Sequence, residues 1–497
     1  MVWSVDAGGA VTGPEQWQNP PGVRLSTSPD GIELSRHSPG PQPVYYRLGR
    51  GRLEWSTELA GLRRAGEASA VDYGALLALV HGLPEPPDFT GVPGVQRLTA
   101  GTAVRVDAAG VSVSSRPPVI PQSRQSLEAA VREVLNELPD GFTIAYSGGV
   151  ASTFLAVCSA AQQAKLVHAV LDGLPGTQPV PPNIPGRHTE RVTIDLVTAL
   201  APHQVTGEEI TPPLPEAALR RHVAAAIAAV SDGPVVSGSV LESLLTANLP
   251  DLPLGLAGRR LLTCEPFHLS GQLPRLRDAR DFLVALGEGV ERRQVAAVPD
   301  GGEAESQPVG IAPVRSGTDL YGDGLPGLTE DGREALRSAR LGASAVWRKH
   351  LEGLPAALGR ADAEFASHDG EGSLQFLPAL DDRVLGAIAA IPPRRLAGIK
   401  HGLVRNQLPL QKAIERHGVR GVHGQSAGFR ARLAAAGYLH QVREKVAIDL
   451  ARECPLADLG LLDPEPVIRL LDDGQLTADR ALTILRLVWI NQWLLTR

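Results

Sequence analysis

The chain has 497 residues, 43% hydrophobic and 21% charged, with a formal net charge of −6 at pH 7. That length suits two to four domains, and the acidic balance argues against a general nucleic-acid binder. No apolar run is long enough to span a bilayer, and the start MVWSVDAGGA lacks the basic-then-apolar layout of a secretion signal, which points to the cytoplasm.

Residues 1–110 alternate turn residues with short β-prone runs, VYYRL (44–48), RLEWSTEL (52–59) and TAVRVD (102–107), which predicts an antiparallel or mixed sheet with few helices. SSRPPVIPQSRQS (114–126) is proline-rich and polar and reads as a linker or strap. Helical spacing follows in LEAAVREVLNEL (127–138), then a buried strand FTIAY (142–146), a Gly turn and the helix TFLAVCSAAQQA (153–164). KLVHAVLD (165–172) predicts a strand, TERVTIDLVTAL (189–200) a helix, HQVTGEEI (203–210) a strand, EAALRRHVAAAIAAV (216–230) a helix, and PVVSGS (234–239) a strand leading into ESLLTANL. Such alternation predicts a parallel, doubly wound sheet. The segment 297–325 is long, polar and Gly-rich, in keeping with a lid, a binding loop or plain disorder. From about residue 327 the chain reads almost wholly as helices.

The sharpest chemical signal is AYSGGVAST, from Ala145 to Thr153. A strand feeds a Gly-Gly turn that runs straight into a helix. Glycine permits positive φ and close approach of an anion, and a helix N-terminus presents N–H groups and partial positive charge. The hydroxyls of Ser147 and Ser152 add donors. The bland alternative is a tight strand–helix turn with a serine cap. Cys158, Cys264 and Cys454 lie too far apart for a disulfide scaffold or a zinc ribbon, and none of the 13 histidines forms an H-x-x-x-H pair. Of the 48 basic residues only five are lysines: Lys165, Lys349, Lys400, Lys412 and Lys445.

The SGG turn in this setting resembles the PP-loop, the S-G-G-x-D-S pyrophosphate-binding turn of ATP pyrophosphatases. The resemblance extends over most of the chain to the asparagine synthetase-like superfamily. VYYRLGRGRLEWSTELAGL (44–62) is similar to a strand pair of its N-terminal domain, GVQRLTAGTAVRVD (94–107) to the hairpin before its linker, and FLPALDDRVLGAIAAIPP (376–393) to its "P-F-L-D" helix. Among the branches, CPLADLGLLDPEPVIRLLDDG (454–474), GFRARLAAAGY (428–438) and WINQWLLTR (489–497) most resemble lasso peptide cyclases.

The resemblance implies an α/β chain: a degenerate glutaminase-like α+β domain over 1–115, a linker at 116–126, and a PP-loop, adenine nucleotide alpha-hydrolase-type synthetase domain with a parallel sheet and a helical C-terminal part over 127–497. The family's nucleophilic cysteine at position 2 is here Val2, so no ammonia from glutamine is expected. The implied reaction uses ATP and Mg²⁺. An Asp or Glu carboxylate of a leader-cleaved core peptide is adenylated, and the peptide's N-terminal amine then closes a macrolactam. Implied partners are that peptide, a leader peptidase and a leader-recognition protein. A β-lactam synthetase-like reaction on a small amino acid, and a non-catalytic ATP- or peptide-binding scaffold, are the alternatives.

Carried over residue by residue, Ser147, Gly148, Gly149 and Ser152 form the pyrophosphate cradle. Ala151 stands where the family has a metal-binding Asp. SGSVLES (237–243) matches a degraded "S-G-x-G-x-D-E" block. It makes Ser237 and Gly238 nucleotide contacts, puts Ser239 where other branches have a base, and makes Glu242 either a metal ligand or an exposed helix residue. Lys400, with Arg405 nearby, corresponds to the cation that stabilises departing pyrophosphate, and Lys412 reads as a solvated helix lysine. Asp172, at the C-terminal edge of its strand, contacts ribose or peptide or caps a turn. Asp381 reads chiefly as a helix cap.

Overall fold

The computed structural model describes residues 3–5, 11–12, 19–20, 22–28, 31–38, 42–49, 52–62, 73–81, 90, 92, 94–107, 110–115, 123–174, 180–202, 212, 214–245, 325–336, 358, 375–392, 395–396, 398–400, 403–405, 407–420, 422, 427–473 and 476–496. It is a mixed α/β structure with a parallel five-stranded sheet and a helical C-terminal region.

The first part holds β1 (Trp3–Val5), β2 (Val11–Thr12), β3 (Val23–Ser28), β4 (Gly31–Arg36), β5 (Tyr45–Gly49), β6 (Arg52–Ser56), the helix α1 (Tyr73–Val80), β7 (Val95–Arg97), β8 (Thr102–Asp107) and β9 (Gly110–Ser115). The strands form two sheets, ordered β2-β1-β6-β5-β7 and β3-β4-β8-β9, and every pairing is antiparallel. Side chains two apart share a face of a strand, so Leu53 and Trp55 of β6 meet Ile32 and Leu34 of β4 and Val104 and Val106 of β8 in one core between the sheets. The stretch 94–107 is not a hairpin. β7 pairs with β5 and β8 with β4 and β9, so the turn between them carries the chain from one sheet to the other. β9 runs on to Ser115, so the first residues of the expected strap are strand; residues 116–122 lie outside the described residues.

The helix α2 (Leu127–Asn136) begins at Ser126, whose hydroxyl accepts from the Ala129 N–H at 3.2 Å. Its buried positions Leu127, Ala130, Val131, Val134 and Leu135 repeat at helical spacing. Next come β10 (Thr143–Ala145), α3 (Val150–Cys158), β11 (Lys165–Asp172), β12 (Thr189–Asp195), α4 (Leu196–Ala199), α5 (Pro215–Ala229), β13 (Val235–Val236), α6 (Ser239–Leu245) and β14 (Gln375–Phe376). The strands form one parallel sheet in the order β12-β11-β10-β13-β14.

Segment 189–200 corrects the sequence reading. Seven of its residues, Thr189–Asp195, form a parallel ladder with β11, and only the last four helical residues follow. β-Branched Thr189, Val192, Thr193 and Ile194 favour the pleated strand, and Asp195 then caps α4 by accepting from the N–H groups of Val197 at 3.1 Å and Thr198 at 3.2 Å. The strand expected at 203–210 and nearly all of the loop 297–325 lie outside the described residues. Helix α3 begins earlier than expected, at Val150, and ends at Cys158 with every residue buried.

The remainder holds α7 (Asp382–Ala389), β15 (Gly398–Lys400), β16 (Leu403–Arg405), α8 (Leu408–Arg416), α9 (Ala427–Arg452), α10 (Pro455–Asp458), α11 (Glu465–Asp472) and α12 (Ala478–Leu495). After residue 327 the described residues are mostly helical, as expected, with the short strand β14 and the antiparallel β15–β16 pair among the helices. Asp381 caps α7 as expected, accepting from the Arg383 N–H at 2.9 Å. α2, α3, α7 and α8 share one core with Ile144 and Leu166. On the opposite face Ile227 of α5 packs with Val167 and Val235. Helices therefore cover both faces of the sheet. α9, α11 and α12 form a third core with Ala169 and Leu171, which also takes in Leu76, Leu77, Leu79 and Val80 of α1. No described helix is long and apolar enough to cross a membrane.

Candidate functional site

In strand order β12-β11-β10-β13-β14, the chain leaves β10 toward one side and returns at β13 on the other. Open parallel sheets bind ligands at that switch point, beyond the carboxyl ends of the strands. Two turns occupy it here: Tyr146–Gly149 after β10 and Ser237–Gly238 after β13.

In the first turn Gly148 has φ +77°, where an L side chain is strained. A Cβ there would also stand 2.8 Å from Pro181 Cα, because residues 181–182 run against the turn. The Tyr146 hydroxyl fixes that approach by donating to the Pro182 carbonyl at 2.6 Å. Gly149 is the N-cap residue of α3, with its N–H donating to Ser147 Oγ at 3.3 Å. The hydroxyls of Ser147 and Ser152 lie 3.0 Å apart, and Ser152 Oγ also donates to the Gly149 carbonyl at 3.2 Å. The turn thus gathers two hydroxyls and the first N–H groups of a nine-residue helix, the chemistry an anion needs.

The second turn abuts the first. A Cβ on Gly238 would lie 3.0 Å from both the carbonyl carbon and the Cβ of Ala151, so only glycine lets these backbones meet without displacement. Ser237 and Ser239 have their hydroxyls 3.4 Å apart, and Ser239 opens α6. Glu242 sits in the first turn of α6, partly buried, its N–H donating to the Gly238 carbonyl at 3.4 Å. Ser147, Gly148, Gly149, Ser152, Ser237, Gly238, Ser239 and Glu242 are therefore on adjoining turns and helix starts.

Asp172 ends β11, level with Asp195 in the ladder, and its carboxylate accepts from the Gly173 N–H at 2.9 Å. Lys400 and Arg405 lie on the β15–β16 hairpin, Lys400 opposite Leu403 and Arg405 opposite Gly398. That hairpin leads into α8, which packs against α3. Lys412 is on α8 itself.

Two residues that the sequence did not single out lie against the first turn. Arg430 of α9 donates from Nη2 to the Ser147 carbonyl at 2.6 Å. Burial lowers its pKa. His168 of β11 is 3% exposed and its Nδ1–H donates to the Tyr146 carbonyl at 3.0 Å. Desolvation pushes its pKa down to about 4, opposed by the hydrogen bond to Tyr146 and helped by the charges of Arg430 and Arg191. Arg191 is its ladder partner on β12. Burial pushes the Tyr146 phenol up to about 12, so it stays a neutral donor. A strand-borne histidine and an arginine 283 residues from Ser147 carry no local pattern that announces a shared site.

The turn fits the phosphates of a nucleotide: it has the donors, the glycine freedom and the neighbouring guanidinium. The donors do not fit magnesium in the same way. Ala151 brings no carboxylate to the turn, and among the described residues no group of three His, Cys, Asp or Glu side chains is close enough to hold a metal ion. Comparison with known proteins finds no family model that matches the chain and no curated protein that matches it significantly.

Proposed function

We propose that this chain is an ATP-dependent, AMP-forming carbon–nitrogen ligase of the asparagine synthetase-like type, acting as a lasso peptide cyclase. The observation that carries the reading is the meeting of the Ser147–Ser152 turn with the Ser237–Gly238 turn at the switch point of the parallel sheet. In this reading residues 1–115 are a glutaminase-like domain without its nucleophile, and residues 127–497 are a PP-loop synthetase domain.

A carboxylate oxygen of the peptide attacks the α-phosphate of ATP and pyrophosphate leaves. The N-terminal amine then attacks the acyl carbon, AMP leaves, and the amine gives up a proton as the isopeptide bond forms. Ser147, Gly148, Gly149 and Ser152 hold the phosphates, where donors pre-aimed at developing charge contribute most. Ser237, Gly238 and Asp172 contact the nucleotide. Lys400 and Arg405 compensate the leaving pyrophosphate. Ser239 sits beside the amine step, which depends on holding amine and acyl carbon together. Glu242 is the carboxylate that the family resemblance assigns to Mg²⁺, and by itself it does not make a magnesium site. The core peptide, a leader peptidase and a leader-recognition protein are the partners, in the cytoplasm.

The test is pyrophosphate release with a peptide that has a free amino terminus and an internal Asp or Glu. Release should depend on the peptide and accompany loss of one water from its mass. Acetylating the amine should stop the mass loss and spare the release. Gly149→Val, which puts a branched side chain against Ser147 Oγ, should lower release about tenfold or more. A wild-type chain that binds ATP and releases no pyrophosphate with any such peptide would favour the second reading, a nucleotide-binding scaffold. Ala151, where the family has a metal-binding Asp, is what supports that alternative.

A further inference from the structure

Arg430 is a partly buried guanidinium in the first turn of a 26-residue helix. One N–H of its fork is used on the Ser147 carbonyl, and among the described residues no carboxylate pairs with it. A guanidinium does not shed its proton at any ordinary pH, so burial cannot be relieved by neutralisation. An ion taken from water without a counter-ion is unfavourable, and that cost is offset only by a partner of opposite charge. The described surroundings supply none. His168 is neutral, Arg191 is a second cation, and Ala151 removes the carboxylate that would sit in the turn itself.

We propose that Arg430 is a phosphate-binding residue of this site: anchored by one N–H to the backbone of the turn, it pairs through the rest of its fork with the pyrophosphate part of the nucleotide. A planar fork matches phosphate oxygens bidentately, which a lysine does not. The proposal rests on the reading of the 147–152 turn as a nucleotide site. It adds a fixed positive charge to it, delivered from the C-terminal helical region and distinct from Lys400 and Arg405.

The experiment measures equilibrium binding of inorganic pyrophosphate and of AMP to the full chain, by calorimetry, for the wild type, Arg430→Gln, Arg430→Met, Arg430→Lys and Gly149→Val. Melting curves accompany each. Arg430→Gln removes the charge and keeps a side-chain N–H on a stem two bonds shorter. Arg430→Met removes both, so a single folded, charge-free variant is enough to decide. We expect pyrophosphate to bind about tenfold more weakly to the charge-free variants, the loss of one charge-assisted contact. Arg430→Lys should fall between them and the wild type, and AMP affinity should stay within about twofold. Gly149→Val should lose pyrophosphate binding. If the charge-free variants bind pyrophosphate as the wild type does while Gly149→Val does not, the turn is a phosphate site and Arg430 only braces it, so the proposal falls alone. If the wild type binds neither pyrophosphate nor AMP, the nucleotide reading falls with it.

Discussion

Burial holds His168 neutral far below the pH at which a free imidazole protonates. Its folded pKa is about 4 against 6.5 for the free side chain. Between those values the unfolded chain binds a proton that the folded chain does not, so stability is complete above about pH 6.5 and is lost as the pH falls toward 4. The contribution is about 2–3 kcal/mol across that window. His168→Asn keeps an N–H at the Nδ1 position for the Tyr146 carbonyl and does not titrate. Urea midpoints measured at pH 4.5 and pH 7 should differ less for the variant than for the wild type. Equal pH dependence would mean that His168 is not held neutral. At this scale the two glycines of the turn were legible because Ser-Gly-Gly between a strand and a helix is a local pattern. The contact of Gly148 with Pro181 was not, since nothing in the sequence marks Pro181 and Pro182 as neighbours of the turn.

At the scale of elements, the clearest failure of local reading is 189–200. Its apolar positions satisfy a helical count, and what makes most of it strand is the ladder to β11, a tertiary partner. α5 and α12 are joined by Glu216 and Arg486, whose Nε lies 2.7 Å from the carboxylate with both side chains mostly out of solvent. Desolvation pulls the Glu216 pKa upward, and the charge of Arg486 and its hydrogen bond outweigh that, so the carboxylate stays ionised and its pKa is lowered. Breaking such a pair leaves one charge stranded. Arg486→Met should therefore destabilise the protein by about 3 kcal/mol, and adding Glu216→Leu should restore part of the loss. Chemical denaturation of the single and double variants checks this. A double variant no more stable than the single would count against a stranded charge.

At the scale of the whole molecule, one core takes residues from both ends of the chain. Helix α1, which belongs to the sequence of the sandwich, buries Leu76, Leu77, Leu79 and Val80 in the same core as Leu485, Trp489 and Trp493 of α12. Trp489 in turn donates its indole N–H to the Leu200 carbonyl at 3.0 Å, tying α12 to the end of α4. Leu77 is fully buried, and Leu77→Ala should cost about 3 kcal/mol. Unfolding of the wild type, followed by tryptophan fluorescence and by far-UV circular dichroism, should give coincident transitions. Trp55 reports on the sandwich and Trp489 and Trp493 on the helical end. Two separated transitions would mean that α1 does not couple them.

What the sequence by itself determined is what short-range physics encodes. The amphipathic spacing and serine cap of α2, the Gly-Gly turn after β10, the strands β5, β8 and β11, and the capping role of Asp381 all follow from residues within a few positions of one another. The tertiary structure decided the rest: the strand at 189–195, the separation of β7 from β8, the docking of α1 on α12, and the guanidinium of Arg430 on the carbonyl of Ser147. A turn or a cap is stabilised by its own neighbours in the chain. A ladder partner, a buried core or a counter-charge is supplied by another segment of the chain, 23 residues away for the β11–β12 ladder and 283 for Arg430 and Ser147, and it is settled only when the sheet and helices pack together.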